Sequence, residues 1–138
     1  MLPYSRFAVL PILLFCSGTA TAAPAADCGT VSTFAFPPET RYFYPAEISR
    51  IDEKNVFESK QEHRLPPGEY TLKVYEKIDA PELRVNGRNR GYAKLLKLRV
   101  EAGHVYRIAA KFDHLRPFDR NRYWEPVVWK DEARPCSL

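Results

Sequence analysis

Leu65-Pro66-Pro67-Gly68-Glu69-Tyr70-Thr71-Leu72-Lys73-Val74 joins a Pro-Pro-Gly turn to a run in which every second residue is apolar. Alternation with a period of two is typical of a β-strand with one face in the core and one in solvent. Residues 101–110 repeat the arrangement, with a turn at Gly103 followed by alternating apolar residues. These two units predict the centre of an antiparallel β-domain.

The rest of the chain consists of short β-forming segments separated by proline and glycine turns. Further strands are predicted in 30–36, 96–100 and 123–130, and a short edge strand or an extended loop in 40–44. Residues 46–57 are predicted as a hairpin, with a helix as the alternative, and Asn86-Gly87 as a hairpin turn. For the last strand, two inward faces are possible: either Trp124 and Val128 are buried, or Val127 and Trp129 are. The pattern predicts an all-β fold, a single antiparallel β-sandwich of about seven strands.

Residues 1–22 have the order of a secretory signal peptide: a basic start, an apolar run and a stretch of small residues. The apolar run is shorter than the roughly 20 residues of a membrane-spanning helix. Ala20-Thr21-Ala22 fits the small-x-small cleavage rule, so we expect cleavage after Ala22 and one β-sandwich domain over 23–138. The expected location is the bacterial periplasm, with secretion as the alternative.

Cleavage would remove Cys16 and leave Cys28 and Cys136 near the two ends of the mature chain. A pair of cysteines in an exported protein predicts a disulfide, which would tie the two termini together. Two free thiols are the alternative. A metal site is not expected, because neither cysteine has a second cysteine or a histidine at ligand spacing.

Charge and motifs favour a protein without catalytic activity or cofactor. The net charge of +4 is small for a nucleic-acid-binding domain, and export changes it by one unit, since only Arg6 precedes the cleavage site. None of the three histidines has metal-ligand spacing, and no Gly-x-Ser-x-Gly turn occurs. An enzyme whose site is assembled from distant residues is the alternative.

One repeated pattern could bind a ligand: Arg88-Asn89-Arg90-Gly91-Tyr92 is echoed by Arg120-Asn121-Arg122-Tyr123-Trp124. Guanidinium groups bind carboxylates or phosphates through two hydrogen bonds, and aromatic faces stack on planar or sugar rings. If the strands run up and down in order, both segments lie at one end of the sandwich. They would then form a basic, aromatic rim for an anionic glycan or lipid. The alternative is two solvated loops whose arginines pair with nearby carboxylates.

The two turn-and-strand units, residues 65–74 and 101–108, resemble the small immunoglobulin-like or transthyretin-like (prealbumin-like, PEGA-type) β-sandwich domains of bacterial envelope proteins. The resemblance extends over about residues 46–130 and is interrupted by the arginine-rich segment 84–92. The function expected of the chain is to bind an envelope protein or to stabilise an envelope assembly, and the resemblance implies a non-enzymatic envelope module. It supplies no catalytic residues. Binding of an anionic glycan or lipid is the alternative function.

Overall fold

A computed structural model describes residue 18 and residues 26–57, 59–84 and 92–138. The described residues form nine β-strands, a single-turn 3-10 helix and one short α-helix. In chain order these are β1 Gly29–Ser32, the 3-10 helix Glu39–Arg41, β2 Phe43–Tyr44, β3 Ala46–Ile51, β4 Lys54–Asn55, β5 Glu62–Leu65, β6 Gly68–Glu76, α1 Pro81–Arg84, β7 Lys94–Val100, β8 His104–Phe112 and β9 Trp124–Ala133. The predicted signal segment, apart from Gly18, and the predicted turn at 86–87 lie outside the described residues.

The strands form two sheets that pack face to face. One sheet has the order β4-β3-β6-β7, and the other contains β5, β1, β8 and β9, with β2 also paired to β8. Because β9 pairs along the whole of β8, β1 and β2 share the opposite edge of β8, beside residues 105–107 and 110–111 respectively. Buried side chains from both sheets form one apolar core. The predicted all-β, two-sheet fold is therefore confirmed, with β2 and β4 only two residues long.

The two ends of the described chain meet at a disulfide between Cys28 and Cys136, as predicted. The adjoining strand β1 runs parallel to β8, whereas the other strand pairs are antiparallel. Gly29 lets β1 approach the end of β7, because a Cβ atom there would lie 2.5 Å from the carbonyl oxygen of Glu101. The parallel pair is a non-local contact that the alternation of apolar residues does not indicate.

The predicted alternation is confirmed in the two central strands. Leu72 and Val74 of β6 are fully buried, as are Ile108 and Phe112 of β8 at 2% exposure or less. The next inward position of β6 holds Glu76 instead of an apolar residue.

The Glu76 side chain is only 4% exposed. Its carboxylate accepts hydrogen bonds from the Tyr123 hydroxyl, at 3.0 Å, and from the backbone N–H of Ile78. These donors compensate for the cost of burying a carboxylate. Ile78 lies beyond the end of β6 and is buried.

Two strand ends differ from the sequence prediction. β1 ends at Ser32 and does not reach residue 36, because the Ser32 hydroxyl accepts the backbone N–H of Phe34 and turns the chain. The last strand begins at Trp124 and extends to Ala133. Of the two possible inward faces of this strand, the structure has the one with Trp124 and Val128: Trp124 is buried, and Val128 packs against the core.

His63 on β5 makes stability depend on pH. Burial, followed by the neighbouring positive charge of Lys60, lowers the pKa of His63 below its ordinary value of 6.5. The unfolded chain therefore binds a proton at a pH where native His63 is still neutral, and the free energy of unfolding falls as pH drops below 6.5. His63→Leu should become more stable relative to the native chain as pH is lowered from about 7.5 to about 5. Urea unfolding at both pH values measures this, and an unchanged stability difference would contradict it.

Candidate functional site

The described ends of the two arginine-rich segments touch each other. The guanidinium carbon of Arg120 lies 5.0 Å from the centre of the Tyr92 ring, over its face. Such a cation–π contact is attractive, by about 0.5–1 kcal/mol at an exposed site. Arg88, Asn89 and Arg90 lie outside the described residues. Among the described residues, Tyr92 and Arg120 are therefore the point at which the two segments of the predicted rim are in contact.

Lys94, at the start of β7, fastens that strand to the loop before β9. Its Nζ donates hydrogen bonds to the carbonyl oxygen of Asn121, at 2.7 Å, and to that of Trp124. The same ammonium group lies 5.4 Å from the centre of the Trp124 ring. Burial lowers the pKa of Lys94. These contacts hold the loop of residues 113–123 against the beginning of β7.

Two of the predicted rim residues are core residues instead. Tyr123 is 4% exposed and Trp124 is 2% exposed. Tyr123 uses its hydroxyl to hydrogen-bond Glu76, and Trp124 begins β9 on the inward face. Neither ring can stack on a ligand, so the prediction of an aromatic rim built on these two residues is corrected. Among the described aromatic residues of the rim, only Tyr92 is exposed.

Asn121 and Arg122 remain at the surface, in a loop built from turns that begin at aspartates. The Asp119 carboxylate accepts the backbone N–H of Asn121 at 3.1 Å, and its backbone carbonyl accepts that of Arg122 at 3.0 Å. Asp113 makes the equivalent hydrogen bonds earlier in the loop. Aspartate is favoured at such positions because its carboxylate replaces a backbone acceptor. The Arg122 side chain pairs only loosely with Asp119, at 3.8 Å, and is 69% exposed.

A cleft of about 530 Å³ opens beside this loop. Its walls come from the end of the 3-10 helix and the following Tyr42, the end of β8, the 113–123 loop and the starts of β7 and β9. The lining residues are Arg41, Tyr42, Lys94, Lys111, Phe112, Asp113, His114, Arg116, Asn121, Arg122, Trp124 and Glu125. Five of these side chains are cationic and two are carboxylates, so the cleft, which we call the basic cleft, carries a clear excess of positive charge.

The carboxylates of the basic cleft do not neutralise it. Glu125 lies 3.8 Å from the Lys111 ammonium, and Asp113 lies 3.8 Å from Arg116. Both pairs are largely exposed, and such pairs contribute little because water screens them. No described carboxylate forms an ion pair with Arg41, whose guanidinium instead lies 5.3 Å from the centre of the Phe43 ring. Donors of hydrogen bonds to an anion are therefore available in the cleft.

Tyr42 forms an aromatic wall of the basic cleft. Its ring stacks on His114 with 4.1 Å between ring centres and 12° between planes, and it is 41% exposed. Its φ of 62° lies in the left-handed region, which non-glycine residues rarely adopt. The backbone N–H of Phe112 donates to the Tyr42 carbonyl at 2.8 Å and helps to hold this conformation. A left-handed residue is common where a helix ends, and Tyr42 ends the 3-10 helix, with its backbone N–H donating to the Glu39 carbonyl at 2.9 Å.

Sequence reasoning missed most of the cleft. Arg41 and Tyr42 belong to the segment 40–44, predicted as a short edge strand or an extended loop, and Lys111 follows the second alternating unit at an outward position that was not connected with a site. They meet because β2 pairs with β8, with Phe43 opposite Lys111. The outward position of Lys111 was the one available signal, since it places a charge at the strand end where the arginine-rich loop begins.

The described residues contain no cluster of three or more histidine, cysteine, aspartate or glutamate side chains that could hold a metal ion. No helix in the described part of the chain is long and apolar enough to cross a membrane. The sequence matches no protein-family model, no curated protein and no solved structure.

Proposed function

We propose that this protein is an exported, non-enzymatic binding module of the bacterial cell envelope, and that it binds an anionic group in the basic cleft. The observation that carries the proposal is the charge of the cleft, in which five cationic side chains and two carboxylates surround a space of about 530 Å³. This volume is within the usual range for a small-ligand site.

Two features and one resemblance support the export part of the proposal. The first 22 residues have the pattern of a signal peptide. The disulfide between Cys28 and Cys136 is of the kind that persists in an oxidising compartment such as the periplasm. The resemblance to envelope β-sandwich domains points the same way.

The chemistry of the cleft favours phosphate, sulfate or carboxylate groups carried on a larger molecule. Arg41 and Arg116 offer planar forks that can donate two hydrogen bonds to one anionic group. Tyr42 places an exposed aromatic face beside them, which suits a sugar ring or another flat group. An acidic glycan and a phosphorylated lipid headgroup share this chemistry, and both are envelope components.

Replacing Arg41 and Arg116 together by alanine should weaken binding of a sulfated heparin tetrasaccharide by about tenfold, because two charged donors are lost. Isothermal titration calorimetry at low salt measures the affinity. Lys97→Ala with Arg99→Ala is the matched control, since it removes two exposed charges from β7, away from the cleft, and should leave the affinity within about twofold.

Equal loss of affinity in both double variants would show that only net charge attracts the tetrasaccharide, and would contradict a site in the cleft. Vesicles containing phosphatidylglycerol and free inorganic phosphate, titrated in the same way, distinguish a glycan from a lipid headgroup or a small ion. Absence of binding to all three probes would overturn the proposal.

A further inference from the structure

The free edges of the two sheets differ in how well they are protected against pairing with another chain. Native proteins blunt exposed edges with short strands, charged side chains, proline, bulges or covering segments. Four of the five edges among the described residues are protected by short length, proline, a bulge or a covering segment. β2 has only two residues. β4 has only two residues, and β5 has four and lies beside the C-terminal tail, where Arg64 donates to the Ser137 carbonyl at 3.2 Å. β9 contains Pro126 and a register shift opposite Arg107 and Ile108.

β7 has only charged side chains as protection, at Lys94, Lys97 and Arg99. Its seven residues pair with β6 in an unbroken register from Lys94 to Val100, without proline, glycine or bulge. No described strand pairs with its other side. Leu96 and Leu98 on the inward face are only half-buried. A groove of about 490 Å³ is lined in equal parts by Lys97, Leu98 and Arg99 of β7 and by their partners Thr71, Tyr70 and Glu69 on β6. The middle of β7, between Lys94 and Val100, is therefore the part with which a further strand could pair.

We infer that β7 is a docking edge for an extended acidic segment of a partner protein, which would pair with it as a fifth strand of the β4-β3-β6-β7 sheet. The outward positions of β7 are Leu95, Lys97 and Arg99, so they offer one apolar and two cationic side chains. Leu95 is 67% exposed, and Arg99 makes only a long, exposed pair with Glu69 at 3.9 Å. A partner strand complements this face when its outward residues are acidic.

The same alternation fixes the other face of the partner. Residues of the added strand that lie beside Leu96 and Leu98 would face the core side, so they should be apolar. The predicted binding segment thus alternates apolar and acidic residues. Main-chain hydrogen bonds would supply affinity, and the side chains would supply selectivity, as in other cases of β-strand addition.

The charges on β7 argue against a second copy of this chain as the occupant. In every antiparallel register, the outward residues of one β7 would face leucine, lysine or arginine of the other, since β7 contains no acidic residue. Like charges placed opposite each other destabilise a strand pair. The docking edge goes beyond the proposed function, because it is separate from the basic cleft.

The test uses a fluorescein-labelled, end-capped peptide of alternating valine and glutamate, with the seven-residue length of β7. Fluorescence anisotropy should show saturable binding to the native protein. The same peptide with lysine in place of glutamate should bind at least about tenfold more weakly. The Lys97→Glu, Arg99→Glu variant should reverse this preference, because its outward face becomes acidic.

A glutamate peptide N-methylated at alternate residues keeps its charge but cannot form the strand hydrogen bonds, so we expect it to lose most of the affinity. Equal binding of the methylated peptide would show plain charge attraction and overturn the inference. Absence of binding, or self-association of the native protein that Lys97→Glu abolishes, would also overturn it. The Arg41→Ala, Arg116→Ala variant should bind the peptide normally, so failure of the cleft and failure of the docking edge are distinguishable.

Discussion

Replacing Cys28 and Cys136 together by alanine is expected to lower the free energy of unfolding by about 4 kcal/mol. The disulfide links positions 108 residues apart, and opening so large a loop greatly increases the conformational freedom of the unfolded chain. Cys28 is fully buried, and the tail around Cys136 is tied back by hydrogen bonds such as that from the Leu138 N–H to the Asp27 carboxylate, at 2.9 Å. These contacts should weaken together when the bridge is removed.

Guanidinium unfolding followed by circular dichroism measures this loss. The native protein with its disulfide reduced is the matched control, and its free energy of unfolding should agree with that of the double variant. A loss below about 1 kcal/mol would mean that non-covalent contacts hold the termini in place, and would contradict the role given to the bridge.

Replacing Trp124 by alanine is expected to destabilise the fold by about 3–5 kcal/mol. Trp124 is the largest of the fully buried side chains and lies at the start of β9, where it packs in the core and supports Lys94 on its ring. Its removal leaves a large cavity that the surrounding strands can close only in part. Trp129 is only half-buried, so Trp129→Ala is the matched control and should have a smaller effect.

Differential scanning calorimetry and urea unfolding of both variants compare the two tryptophans. If Trp124→Ala does not fold, Trp124→Phe keeps most of the apolar volume, and its loss should still exceed that of Trp129→Phe. An equal or larger effect at Trp129 would contradict the inward placement of Trp124.

The strands could be predicted from the sequence where one face of the strand is buried and the other is exposed. The alternation around Leu72 and Ile108 predicts strands because successive side chains point to opposite faces of a sheet, and both lie in the core as expected. Glu76 could not be placed in this way. Its burial depends on the Tyr123 hydroxyl, which is distant in sequence.

The candidate site was less predictable because it is made of non-local contacts. Arg41 joins Lys111 only through the pairing of β2 with β8, and strand register between distant segments leaves no mark in local composition. The arginine-rich loop before β9 was predicted as part of a binding site, but its last residues already belong to the core. Tyr123 and Trp124 were therefore grouped with the exposed arginines although they are buried.

The most direct test of the central claim is to locate where an anion binds. Backbone amide chemical shifts of nitrogen-15-labelled protein should be followed while the heparin tetrasaccharide is added at low salt. The account predicts that the shifts concentrate at Arg41, Tyr42, residues 111–116 and Arg122, around the basic cleft. Shifts confined to the outward face of β7, or none at saturating tetrasaccharide, would contradict it.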